Sequence, residues 1–206
     1  MRIRNLIPAA ALCAALAAPA LAGDEKTKTT KKAGQPMDEK AMMEMWAKVG
    51  APGEPHKALE VMVGTWDTKV SSWMQPGAAP MASTGVSENT WTLDNRFIEQ
   101  RYEGEFMGQP FKGVGYTGYD NVKKKYVGTW MDNMSTSVMV MTGTSDATGK
   151  TMTFTGTMDD PMTGKPKAMK EVVKIVDANK HTFEMWAPGP DGKAFKMMEI
   201  EYLRRN

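Results

Sequence analysis

The chain has 206 residues, a formal net charge of +2 and a single cysteine. Near-balanced charge excludes the strongly basic surface that nucleic acid or an anionic membrane would select, so no nucleic-acid partner is expected. One cysteine excludes a disulfide framework and a multi-thiolate metal site.

The first 22 residues read as a signal peptide. Arg2 and Arg4 give a positive start, Ile7 to Ala18 is an apolar run too short to span a bilayer, and Ala20-Leu21-Ala22 offers small residues for cleavage. Cleavage before Gly23 would remove Cys13 and both arginines, leaving a thiol-free chain of formal charge 0 with no transmembrane segment. The expected address is therefore outside the inner membrane, periplasmic or secreted. Residues 23–36 are Lys- and Thr-rich without apolar periodicity and read as a flexible linker. Residues 37–206 are read as one domain.

That domain begins with a helix. Asp38 is placed to cap it, Ala41, Met42, Met45 and Trp46 recur at helical spacing, and Gly50 ends it. Its apolar face is expected to pack on the domain or cover an opening. A second short helix is expected from Pro55 to about Val63, with Leu59, Met62 and Val63 facing inward.

After Gly64 the texture changes to alternating segments separated by turn residues. The expected strands are Thr65 to Trp73, Ser83 to Leu93, Arg96 to Phe106, Phe111 to Tyr119, Lys125 to Met131 and Thr136 to Thr144. Thr151 to Met158, Ala168 to Val176, His181 to Ala187 and Ala194 to Leu203 complete them. Pro76-Gly77, Asp94-Asn95, Gly108-Gln109-Pro110 and Asp120-Asn121 are typical of the separators. About ten strands on short links describe an antiparallel up-and-down meander, and closing it into a barrel removes the exposed edges. The fold class is all-β, with one or two short N-terminal helices; a two-sheet sandwich is the alternative.

Gly64-Thr65-Trp66 opening the first strand, and Arg204 and Arg205 closing the last, resemble the calycin (lipocalin-like) barrels. There the Trp closes one barrel end and a basic residue of the last strand packs over it. The chain more specifically resembles a bacterial secreted family, domain-of-unknown-function family 1579. The resembling segments include Pro52-Gly53-Glu54-Pro55-His56, Trp73-Met74-Gln75-Pro76-Gly77, Met107-Gly108-Gln109-Pro110-Phe111 and Gly118-Tyr119-Asp120-Asn121. Lys125 to Trp130, Asp160 to Lys165 and Thr182-Phe183-Glu184-Met185 continue the likeness, which runs from about Met37 to Arg205. Asp94-Asn95 departs from it, standing where Gly-Gly usually precedes the Arg. The resemblance implies a barrel and export; it implies no activity.

The candidate chemistry is sparse. Parity places Arg96, Ile98, Gln100, Tyr102 and Phe106 on one face, and likewise Tyr126 with Trp130, Phe183 with Met185, and Met198, Ile200, Tyr202 and Arg204. Faces of aromatics and methionines with few polar groups fit either a ligand cavity or a filled core. The 20 methionines serve as adaptable core filler or as the lining of a cavity for apolar ligands. Copper(I) capture would need several sulfurs at one point, and two distant histidines give no zinc spacing, so no metal site or cofactor is assigned. His181 is expected to be solvated and His56 to start the short helix. Glu99, Glu103, Glu105, Glu184 and Glu199 read as exterior charge.

The leading reading is a non-catalytic barrel that binds or carries a small, largely apolar molecule. Its candidate ligand-binding residues are His56, Trp66, Arg96, Tyr102, Trp130, Met139, Met141 and Tyr202. The alternatives are an enzyme at the barrel mouth that uses His56 or Arg96, and an envelope structural or interaction protein.

Overall fold

A computed structural model describes residues 38–160 and 163–205. The expected signal peptide and linker, with Cys13, lie outside the described residues. The described residues, from Asp38 onward, form one compact unit.

Asp38 caps helix α1 (Glu39–Gly50) by accepting a hydrogen bond from the Ala41 amide at 2.7 Å. The helix forms as expected, but its apolar face does not pack: it buries no side chain among the described residues, and Trp46 is 63% exposed. Its attachment is polar. The Asn121 side-chain amide donates to the carbonyls of Val49 and Ala51, both at 2.8 Å. The second expected helix is split into one α-turn, α2 (Glu54–Lys57), and one 3-10 turn (Glu60–Met62).

Ten strands follow: β1 (Gly64–Ser72), β2 (Met81–Thr92), β3 (Phe97–Phe106), β4 (Gln109–Asp120) and β5 (Lys125–Asp132), then β6 (Met139–Ser145), β7 (Thr151–Asp159), β8 (Pro166–Asp177), β9 (Lys180–Pro188) and β10 (Ala194–Arg204). Each pairs antiparallel with its sequence neighbours, and β1 pairs with β10, so the meander closes into a barrel and leaves no open edge. β6 starts at Met139 instead of Thr136. It then shows the period-2 pattern, with Met139, Met141 and Gly143 buried and Val140, Thr142 and Thr144 exposed.

The turns follow backbone chemistry. Met107 and Gly108 both take positive φ (52° and 74°) in a two-residue hairpin. In the turn between β2 and β3, Leu93, Asp94 and Asn95 all adopt the left-handed region, at φ 50°, 54° and 63°. The turn therefore forms with ordinary side chains at a strain that glycine would avoid.

Glycines within strands make room for large neighbours. A Cβ on Gly113 or Gly115 of β4 would collide with the Trp130 indole, and one on Gly143 would meet Phe154 at 2.7 Å. The aromatic rings of one strand thus lie flat across the bare backbone of the next.

Candidate functional site

The two barrel ends differ. At the end where β1 starts, the 3-10 turn plugs the opening. Leu59 and Trp66 are fully buried there. The Trp66 indole N–H donates to the Met62 carbonyl at 2.9 Å, and the Asn89 side chain donates to the same oxygen at 2.8 Å. Arg204 lies over the Trp66 ring at 4.1 Å and donates to the carbonyls of Val63 (2.8 Å), Val61 (3.0 Å) and Ala178 (2.8 Å). Gly64, at φ 131°, leaves the space that the guanidinium fills. The tryptophan and basic-residue closure expected of a calycin-like barrel is therefore present.

His56 belongs to this end. Its Nδ1 accepts from the Gly53 amide at 3.1 Å, its ring meets Tyr119 edge-on at 5.9 Å, and burial lowers its pKa. Arg96 sits in the β2–β3 turn, where it donates to the Leu93 carbonyl at 3.1 Å and pairs with Asp94 at 3.5 Å. It does not start a strand as expected, because β3 begins at Phe97.

Toward the other end lies a cavity of about 370 Å³. Its wall is mainly sulfur and aromatic surface, from Met139, Met141, Met152, Phe154, Met185 and Met198 among others. Phe106, Phe111, Met134 and Asp132 line its outer part, near the strand ends opposite the plug. Tyr102, Trp130, Met139, Met141 and Tyr202 of the eight candidate residues line it; His56, Trp66 and Arg96 do not.

A polar ladder runs from plug to cavity. The Gln100 side-chain amide donates to Ser87 Oγ at 2.8 Å, Ser87 donates to Asn89 Oδ1 at 2.9 Å, and Asn89 reaches the plug carbonyl. Gln100 also contacts the Tyr202 hydroxyl at 3.4 Å, and Thr68 donates to the Tyr102 hydroxyl at 3.2 Å. Burial raises the pKa of both phenols, so both remain protonated at neutral pH.

Two titratable cavity residues with strongly shifted pKa values lie outside the candidate set. His181, expected to be solvated, is only 4% exposed; it stacks on Tyr202 at 4.3 Å and meets Trp66 edge-on at 4.3 Å. Its place in β9 explains the correction, since it shares the inward face with Phe183 and Met185. Burial, and then the nearby Arg204 charge, push its pKa down to about 4, so the ring is neutral at pH 7. Its buried Nδ1 has no hydrogen-bond partner among the described residues.

The other is Glu171 of β8. It is register-paired with Phe154 of β7 and Met185 of β9, both cavity-lining, and it lines the cavity with them. Among the described residues no salt bridge or hydrogen bond engages its carboxylate. Burial pushes its pKa up to about 7. The signal was available in the sequence: Met169, Glu171, Val173 and Ile175 alternate along one strand, and one acid interrupts an otherwise apolar face.

No group of three or more His, Cys, Asp or Glu side chains among the described residues is placed to hold a metal ion. No described helix is long and apolar enough to cross a membrane.

These features define a closed, ten-stranded, up-and-down barrel with one plugged end and an internal cavity. The chain belongs to the family described as "Protein of unknown function (DUF1579)", whose family model matches residues 51–204. No curated protein sequence matches it. Among solved structures, the crystal structure of Rv2717c from M. tuberculosis is similar, with a TM-score of 0.57 at 14% identity over 76% of this chain and all of that one. At that identity the likeness speaks for the fold alone. A redesigned β-barrel aligns at a TM-score of 0.39 and 13% identity over 72% of this chain and 96% of that one.

Proposed function

We propose that this protein binds or carries a small, largely apolar molecule inside the barrel. The cavity carries the reading. At about 370 Å³ it falls in the size range of small-molecule sites, and it combines apolar walls with a few fixed polar groups. Methionine side chains suit a guest of variable shape because they repack at little cost.

The enzymatic alternative rested on His56 and Arg96. Both are held at the plugged end by the backbone contacts described above, and neither lines the cavity. That arrangement offers no convergence of acid, base and substrate space.

Work outside the inner membrane is part of the proposal, supported by the charged start, short apolar run and small-residue site of the first 22 residues. The test is native mass spectrometry of the protein purified from the envelope of its own cells. The proposal expects a mature chain starting at Gly23 that carries an additional small-molecule mass. A protein that retains residues 1–22, or one that emerges empty, would contradict the corresponding half of it.

A further inference from the structure

We infer that the molecule this cavity takes is a hydrophobic cation, an amine on an aromatic or alkyl body, whose ammonium group pairs with Glu171. The inference rests on the cavity being a binding site and adds the charge of its occupant.

Three observations carry it. Glu171 faces the cavity from mid-strand between Phe154 and Met185, without an ion-pair or hydrogen-bond partner among the described residues. A carboxylate in such a place is costly unless something pairs with it, and no described residue does. The second observation is the sign of the whole lining. Glu105, Asp132 and Glu171 are its acids, and among the described residues it contains no lysine or arginine. The one histidine in the lining is held neutral. An anion would therefore meet only like charges and neutral groups, whereas a cation finds a partner at depth and a favourable field at the mouth. Third, the remaining wall is what an organic cation selects. Trp130 and Phe154 offer ring faces for cation–π contact, and the methionine sulfurs pack on the apolar body.

A neutral ligand can offer Glu171 at most a hydrogen bond and leaves its charge uncompensated, because the described wall supplies no opposite charge either. A ligand amine would instead replace the water that reaches the carboxylate from the cavity side, and would hold it ionised through a charge-assisted hydrogen bond.

The test uses three molecules of one skeleton: phenylbutylamine, phenylbutanol and phenylbutyrate. Each is titrated into the purified mature protein at pH 8 by calorimetry. The expected order is amine, then alcohol, then carboxylate, with the amine about tenfold tighter than the alcohol. Glu171→Gln keeps the shape and removes the charge, so it should abolish the amine preference and bring the amine and alcohol affinities together. Equal affinities for amine and alcohol in the unaltered protein, or preference for the carboxylate, would overturn the inference while the cavity reading stands. If none of the three binds, the cavity reading itself fails. The unaltered protein alone decides between these results, so the conclusion survives even if the variant does not fold.

Discussion

The plugged end and the cavity are built from the same strands, yet they treat polar groups in opposite ways. At the plug, Arg204 spends its donors on three backbone carbonyls, and the indole of Trp66 and the amide of Asn89 share a fourth. In the cavity, half-buried Glu171 engages no partner and His181 leaves a buried nitrogen unbonded among the described residues. Buried polar groups are ordinarily satisfied, so a region that leaves them open gives up stability for something other than folding. The contrast separates residues that hold the barrel from residues available to a guest.

The largest expected effect lies at the plug. Trp66→Ala removes a fully buried ring, its hydrogen bond and the surface on which Arg204 rests. It should cost about 3–5 kcal/mol, read as a fall in denaturant midpoint. A loss below about 1 kcal/mol would mean that the plug does not carry the fold.

The cavity should respond with the opposite sign. With its pKa raised from 4.5 to about 7, Glu171 binds more protons folded than unfolded. Its contribution is harmless below about pH 4.5, becomes destabilising as pH rises to about 7, and stays so above. Glu171→Gln should therefore stabilise the unliganded protein by roughly 3 kcal/mol at pH 8 and hardly at all at pH 4. His181 works the other way. Its pKa is lowered from 6.5 to about 4, so its contribution is complete above about pH 6.5 and is lost as pH falls toward 4. The two nearly cancel between about pH 4.5 and 6.5, and melting curves of Glu171→Gln across that range should reveal the acid sensitivity of His181. Glutamate and glutamine proteins of equal stability at pH 8 would show that Glu171 is paired after all.

A smaller effect tests how the wall is shaped. Gly113→Ala places a methyl group against the Trp130 indole. The expected cost is about 1–3 kcal/mol, with a change in tryptophan fluorescence as the ring leaves its seat. An unchanged spectrum would show that Trp130 does not rest there.

The barrel was legible in the sequence because its signals are local. Alternation in segments such as Thr151 to Met158, and turn pairs such as Pro76-Gly77, specify strands and their connections without reference to distant partners. The helix α1 was equally legible, but the fate of its apolar face was not, since periodicity says that a face exists and not what covers it. Parity placed Tyr102, Trp130, Met139, Met141 and Tyr202 on the cavity wall. It failed for Arg96, which the positive-φ residues Leu93 to Asn95 hold in a turn outside the strand. His56 and Trp66 went to the plug because backbone acceptors there, invisible in a sequence, fix them. His181 reads as solvated beside Asn179 and Lys180, and Glu171 draws no reading from the sequence, although the parity of each strand turns the side chain inward.

The methionines permit the most direct test, since they lie both on the cavity wall and on exposed surface. With methyl-labelled methionine, spectra recorded during titration with phenylbutylamine should shift at Met139, Met141, Met152, Met185 and Met198, and stay still at Met42, Met43 and Met45 of α1. Shifts confined to the exposed helix, or no shifts at all, would contradict the account.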